Sequence, residues 1–263
     1  MYLTIDSERT FLHLAGHVVA PDRPTVVFVH GAAEDHSVWM LQTRYFAYHG
    51  WNAVAVDLPG HGRSGGEPLA SIGAIAEWIP GVLDAIGIPV ATLVGHSMGA
   101  LAVLETVARH PGRVERIALL GPAVPMAVSD VLQDAARQRE GAAFDMITIW
   151  SHATLLGGEP VPGIWQTGAR RRLLARSRPG TLARDLANCS AYATGLDAAS
   201  RVRCPALLVC ARRDLMTPPK AATALANAIP QARIVTVEGA GHAMTAEAGG
   251  AVLDALTAFL TEA

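Results

Sequence analysis

Short apolar runs that end at Gly, His or Asp alternate with longer amphipathic stretches along this chain. A buried strand of a parallel sheet is a short continuous apolar run, whereas an amphipathic helix repeats its apolar positions every three to four residues. Two runs before residue 15 are consistent with a leading hairpin. The clearest strands are predicted at 25–30, 52–57, 91–95, 116–120, 206–211 and 233–237.

Helices are predicted between these strands, and Pro80 predicts a break or kink in the second of them because proline lacks the helical N–H donor. The helices are expected at 37–49, 71–86, 98–110, 219–229 and 246–262. Strands that alternate with helices indicate an α/β fold with a mostly parallel sheet and helices on both faces.

The alternation fails between Gly121 and Arg203, where helical patterns occur without a convincing strand. This block starts after one predicted strand and ends before the strand at 206–211, so both of its ends lie at one edge of the sheet. We therefore predict a core of residues 1–120 and 204–263 and a helical cap of residues 121–203. The cap is expected over the carboxyl ends of the strands, where open α/β sheets bind ligands.

Composition favours one domain with an insertion, and small molecules as its partners. The chain has 263 residues, 51% of them hydrophobic, and a net charge of −2, so no overall field favours nucleic acid or an anionic membrane surface. The amino-terminal residues are charged early and no apolar run reaches membrane-spanning length. We expect a cytoplasmic monomer or homodimer that binds no nucleic acid and no membrane.

Cysteine usage indicates neither a disulfide framework nor a zinc site. Cys189, Cys204 and Cys210 form an odd, widely spaced set, which argues against a disulfide framework, and they include no C-x-x-C pair of the kind typical of zinc sites. No metal and no organic cofactor are expected.

A tight turn is predicted where the strand at 91–95 ends, in the segment Gly95-His96-Ser97-Met98-Gly99. A G-x-S-x-G pattern between an apolar run and an Ala/Leu-rich helical run is typical of a nucleophile elbow. The strand and the helix approach closely two residues before and after the serine, so only residues without bulky side chains fit there. Strain at Ser97 would lift its hydroxyl clear of the main chain.

A serine nucleophile needs a base, and the base needs an orienting acid. Asp214 lies just past the predicted strand at 206–211, and His242 lies in a glycine-flanked loop after the last strand. Glu247 follows His242 too closely to reach it from the usual side. We therefore predict a triad of Ser97, His242 and Asp214.

The chain resembles the cap-bearing, esterase-like and lipase-like branch of the α/β-hydrolase superfamily. The resemblance depends on the elbow, on His30-Gly31-Ala32 after the first long strand, on the 57–64 segment Asp-Leu-Pro-Gly-His-Gly-Arg-Ser, and on the chain order Ser, Asp, His. It implies an oxyanion hole made by the backbone N–H groups of Ala32 and Met98. We expect the 57–64 segment to be a structural loop, His30 to brace the oxyanion loop and His96 to pack beside the elbow, without a proton-transfer role for either histidine.

The predicted cap is rich in large apolar side chains, some of which are expected to close a substrate pocket. We predict that three of them line the pocket: Met126, Trp150 and Trp165. The other large apolar residues of the predicted cap are Leu132, Phe144, Met146, Ile147, Leu155 and Tyr192. Arg170, Arg171 and Arg172, with Arg176 and Arg178, either steer an acidic substrate or form a solvated helix face. The predicted activity is hydrolysis of a carboxylic ester, lactone or thioester of a medium-sized apolar substrate, through an acyl-enzyme.

Other activities are compatible with the same residues. A ligand receptor with single-turnover hydrolysis, an acyltransferase and a cofactor-free perhydrolase would use the same pocket and triad. Carbon–carbon hydrolases tend to carry Asn before the nucleophile and Trp after the catalytic histidine, where this chain has His96 and Ala243. An aspartate in place of Ser97 would have indicated a dehalogenase or epoxide hydrolase.

Overall fold

The computed structural model describes residues 1–154 and 165–262. Eight strands form one sheet in the order β1-β2-β4-β3-β5-β6-β7-β8. The strands are β1 Tyr2–Ile5, β2 Glu8–His13, β3 Thr25–Val29, β4 Asn52–Val56, β5 Ala91–His96, β6 Val114–Leu120, β7 Ala206–Ala211 and β8 Ala232–Val237. β1 and β2 form the expected antiparallel hairpin, β2 is antiparallel to β4, and the remaining neighbours are parallel.

Helices connect the strands of the sheet. They are α1 Met40–Tyr48, α2 Ile72–Ala85, α3 Met98–Arg109, α4 Asp130–Gln138, α5 Glu140–Ser151, α6 Gln166–Leu174, α7 Thr181–Ala191, α8 Gly195–Arg201, α9 Thr223–Ala228, α10 Met244–Glu247 and α11 Gly249–Thr261. Short 3-10 segments at His36–Trp39 and Pro219–Ala222 precede α1 and α9.

Alternate side chains of the buried strands build a core on each face of the sheet. Val27 and Leu93 pack with α2, α3, α8 and α9 on one face. Phe28 and Val94 pack with α1 and α11 on the other. The predicted α/β class with a mostly parallel sheet is therefore confirmed.

The predicted break at Pro80 does not occur, because α2 continues through the proline. Proline leaves the carbonyl of Ala76, four residues earlier, without its helical donor. The Thr106 hydroxyl of α3 lies 3.5 Å from that carbonyl oxygen. Packing against α3 thus supplies a polar neighbour at the point where the helix loses its own hydrogen bond.

In its described part, the chain between β6 and β7 contains the five helices α4 to α8, joined by loops, and has no strand. Helices α4 to α7 share a separate apolar cluster that includes Leu132, Phe144, Ile147, Leu174 and Leu182. Helix α8 instead packs with the core. The division of the chain at residues 121 and 203 stays a prediction, and Leu155 lies outside the described residues. Within the described ranges, none of the helices is both long and apolar enough to cross a membrane.

Candidate active site

Ser97 occupies the turn between β5 and α3 in a strained backbone conformation. Its φ of 54° and ψ of −118° lie in a region that non-glycine residues rarely adopt. A Cβ atom on Gly95 would lie 2.2 Å from the carbonyl oxygen of Gly99, and one on Gly99 would lie 2.3 Å from that of Val29. Gly95 thus permits the tight elbow, whereas Gly99 permits the start of α3 to pack against the end of β3.

Asp214 and His242 meet at the carboxyl end of the sheet, after β7 and β8. His242 Nδ1 lies 2.7 Å from Asp214 Oδ2, and both side chains are almost fully buried. The other carboxylate oxygen of Asp214 accepts the backbone N–H groups of Met216 and Thr217, each at 2.8 Å. Ser97 and His242 line one cavity, so the described structure brings the three predicted residues to one place.

Thr217 is a member of the site that sequence reasoning missed. Its hydroxyl donates to Asp214 Oδ2 at 2.8 Å and lies 3.1 Å from His242 Nδ1. The signal for it was weak: Asp side chains accept N–H groups of residues that follow them closely in turns, and Thr217 is the hydroxyl residue within that reach of Asp214. Thr217 therefore holds the carboxylate in its orientation toward the imidazole.

Burial and neighbouring charges set the protonation of the acid and the base. Burial lowers the pKa of His242 below its ordinary value, and His96 and Arg170 lower it further, although Asp214 opposes them. Burial alone would raise the pKa of Asp214, but His242 and the hydrogen bonds from Thr217 outweigh it and lower that pKa. At neutral pH the site therefore pairs a neutral imidazole with an ionised carboxylate.

Two backbone N–H groups beside Ser97 are available to a ligand. Within residues 1–154 and 165–262, the amides of Ala32 and Met98 have no hydrogen-bond acceptor. Met98 begins α3, where the helix dipole favours negative charge, and Ala32 lines the cavity. Both amides are therefore unpaired in the described structure, and their role as oxyanion donors stays a prediction.

His96 and His30 have structural contacts in the described structure. His96 Nε2 lies 2.9 Å from the carbonyl oxygen of His242 and supports the loop that carries it. His30 Nε2 accepts the N–H of Leu58 at 3.2 Å, and its Nδ1 donates to the carbonyl of Gly31 at 2.8 Å. Both rings are buried.

The cavity of about 190 Å³ beside Ser97 is mainly apolar. Met126 and Trp150 line it as predicted, together with Leu132, Ile147, Leu186, Leu215 and Met216. Trp165 does not line it, so that prediction is wrong. Its side chain is 77% exposed, and its ring lies over Gly168 in the first turn of α6, facing a neighbouring surface cleft.

The cap arginines divide into two kinds. Arg171 and Arg172 are exposed, and Arg171 pairs with Asp145 on the surface, as a solvated helix face would. Arg170 instead is nearly buried and pairs with Glu34. Burial lowers the pKa of Arg170 to about 10, which leaves it charged at neutral pH. Arg170 and Glu34 are the charged side chains among the described residues that line the cavity beside Ser97.

One group of potential metal ligands occurs within the described ranges, at Asp35, His36 and Asp57. Asp57 accepts hydrogen bonds from the N–H groups of His36 and Arg63, and Asp35 accepts from Ser37 and pairs with Arg176. These contacts stabilise the loops beside β3 and β4, which agrees with a structural role for the 57–64 segment.

Comparison with known proteins identifies the class to which this fold and this site belong. Residues 24–248 match the family model described as alpha/beta hydrolase fold, so the chain belongs to that family. The predicted fold, family and enzyme class, a hydrolase, are thereby confirmed.

Individual relatives differ in the chemistry that their names describe. A pimeloyl-(acyl-carrier protein) methyl ester esterase of Chromobacterium violaceum is 30% identical over 84% of this chain and 87% of that protein. An epoxide hydrolase of Caballeronia sordidicola is 30% identical over 60% of this chain, which spans 55% of that protein. The crystal structure of an enol-lactonase from Burkholderia xenovorans LB400 matches the whole of both chains with a TM-score of 0.86 and 23% identity.

Proposed function

We propose that this protein is a serine hydrolase that cleaves a carboxylic ester, lactone or thioester of an apolar small molecule. The observation that carries the proposal is the strained Ser97, which shares an apolar cavity with an imidazole held by Asp214. A serine at the elbow favours acyl chemistry. The epoxide opening named for one relative would instead suit a carboxylate nucleophile at this position. The esterase and lactonase names of the other two relatives are consistent with this choice.

The proposed reaction has two half-reactions. Ser97 Oγ attacks the carbonyl carbon while His242 Nε2 takes its proton, and the N–H groups of Ala32 and Met98 bind the developing oxyanion. The protonated His242 then gives the proton to the leaving alkoxide, which departs as the alcohol and leaves an acyl-serine. Water attacks the acyl carbon by the same route and releases the acid, and the serine regains its proton.

The size of the cavity limits the group that fits inside it. An engineered apolar cavity of about 150 Å³ binds benzene, so a cavity of about 190 Å³ suits an acyl group slightly larger than that. Met126, Ile147 and Leu215 offer it apolar surface. We therefore expect short and medium acyl chains to react faster than long ones.

The test is steady-state hydrolysis of p-nitrophenyl esters from acetate to dodecanoate by the wild type and Ser97→Ala. We expect many turnovers per wild-type molecule, a preference for chains shorter than octanoate, and a loss of about 10⁴-fold or more in kcat for Ser97→Ala. Equal rates for the two proteins would contradict the proposal. One burst followed by a stable adduct would favour a receptor, and transfer to an added alcohol in preference to water would favour an acyltransferase.

A further inference from the structure

The amides on either side of Ala32 are each held by a buried carboxylate. The N–H of Gly31 donates to Glu34 at 2.8 Å, and the N–H of Ala33 donates to Asp185 Oδ2 at 2.8 Å. Because both neighbours are bonded in this way, the orientation of the peptide that carries the Ala32 N–H is constrained from both sides. Of these three consecutive amides, the Ala32 N–H is the one without an acceptor in the described structure.

Asp185 comes from the cap helix α7, whereas Ala33 follows β3 in the core. The two residues are 152 positions apart in the chain, and the side chain of Asp185 is buried. Ala33 has a φ of 54°, in the left-handed region that non-glycine residues avoid. Such a conformation persists only where its surroundings hold it, and the hydrogen bond to Asp185 is one of the contacts that do so.

A second donor fixes Asp185 in place. His61 Nε2 lies 2.8 Å from the same Oδ2 atom, and His61 Nδ1 lies 2.9 Å from the carbonyl oxygen of Pro59. Both ring nitrogens face oxygen acceptors, so the arrangement is satisfied when the imidazole carries a proton on each. Burial opposes this charge, but Asp185 outweighs burial and raises the pKa of His61.

The cap also reaches the other side of Ala32. Arg170 of α6 pairs with Glu34, whose second oxygen accepts the N–H of Gly31. Each carboxylate that holds the loop is thus either part of the cap or paired with a cap arginine. Neither carboxylate hydrogen-bonds to Ser97 or His242 in the described structure. Glu34 lines the cavity and lies 3.4 Å from His96 Nδ1, whereas Asp185 does not line the cavity and contacts the loop through Ala33.

We propose that Asp185 is a positioning residue, through which the cap sets the orientation of the Ala32 N–H in the oxyanion hole. The inference rests on the proposed function, because it assigns the Ala32 N–H to the oxyanion. Its consequence is that the cap contributes to transition-state stabilisation as well as to the walls of the substrate cavity.

The test compares Asp185→Ala, Asp185→Asn and the matched control Asp145→Ala, another cap aspartate that is exposed and pairs with Arg171. Active-site titration gives kcat per competent molecule, which removes any effect of misfolded protein. We expect Asp185→Ala to lower kcat by roughly 10- to 100-fold, with KM changed by less than about threefold, since a misplaced donor weakens the transition state more than the bound ester. The control should stay within about twofold of the wild type.

An alkyl trifluoromethyl ketone separates positioning from a purely structural role. This inhibitor forms a tetrahedral adduct whose oxyanion occupies the hole, so its inhibition constant should weaken in Asp185→Ala by about the same factor as kcat/KM falls. Asp185→Asn keeps an oxygen for Ala33 but lacks the charge that keeps His61 protonated. It should therefore show a smaller loss in both quantities, of roughly three- to tenfold.

Unchanged kcat and unchanged inhibition in the folded Asp185→Asn and Asp185→Ala proteins would overturn the inference. If Asp185→Ala does not fold, the same two measurements on the nearly isosteric Asp185→Asn decide the matter. The wild type and Ser97→Ala are assayed in parallel. A wild type that turns over esters, a dead Ser97→Ala and a fully active Asp185 variant would contradict this inference while leaving the proposed function intact.

Discussion

Individual side chains determine which nitrogen of His242 can act as the base. Nδ1 faces Asp214 and Thr217, so Nε2 is the nitrogen available to Ser97 in the proposed mechanism. Only the neutral ring can accept the serine proton. The groups that shift the pKa of His242 therefore set the pH at which the enzyme becomes active.

The pH profile follows from the direction of that shift. Because burial, His96 and Arg170 lower the pKa of His242, kcat/KM should rise with pH and reach half its plateau below about pH 6.5, the ordinary value for histidine. Arg170→Gln removes a positive charge that disfavours protonation, so its midpoint should move to higher pH. The exposed Arg171→Gln is the control and should leave it unchanged. If the midpoint of the kcat/KM profile moved to lower pH in Arg170→Gln, the result would contradict this electrostatic account.

Residue types in a motif could be predicted from the sequence, but contacts between distant segments could not. Ser97, Asp214 and His242 each follow a recognisable apolar strand, and parallel strands carry such residues to one edge of the sheet. Asp185 has no comparable signal, because its partners Ala33 and His61 are brought to it only by the docking of the cap. The pocket prediction for Trp165 is wrong because the sequence does not show whether a large apolar side chain of an amphipathic segment faces the cavity or the solvent.

At the scale of elements, the junction of β5 and α3 depends on backbone packing that tolerates no side chain. The Cβ of an alanine at position 95 would lie 2.2 Å from the carbonyl oxygen of Gly99, well inside van der Waals contact. The elbow then has to open, which moves both Ser97 and the first N–H of α3.

Gly95→Ala should accordingly lower the free energy of unfolding by roughly 2 to 4 kcal/mol and reduce esterase activity in the remaining folded protein. Urea denaturation followed by circular dichroism measures the first quantity. Gly112→Ala is the matched control, because nothing lies within 4 Å of its added Cβ, and it should change stability by less than about 1 kcal/mol. Equal stabilities of the two variants would show that the elbow is looser than described.

Helix and strand positions were predicted well where the apolar pattern was long, and less well where tertiary contacts override local preference. Pro80 suggested a break, yet α2 continues because α3 packs beside it. The predicted helix at 246–262 is divided at Ala248 into α10 and α11, which hydrophobic periodicity alone does not reveal.

Across the whole molecule, the cap is bonded to both halves of the candidate site. Glu247 accepts the N–H of Gly241 at 2.7 Å and that of Ala153, just after α5, at 2.9 Å. The N–H of Ala243 donates to the carbonyl of Ser151 at 2.8 Å. The end of α5 thus braces the His242 loop, as α7 braces the loop that carries Ala32.

The central claim is that Ser97 is the nucleophile of this assembled site. The most direct measurement is peptide mass spectrometry after reaction with diethyl p-nitrophenyl phosphate, which phosphorylates an activated serine. We expect a stoichiometric diethylphosphoryl group on Ser97 in the wild type, much slower labelling in His242→Ala, and none at this position in Ser97→Ala. An unlabelled Ser97 in a protein that hydrolyses esters, or the modification at another residue with loss of activity, would contradict the account.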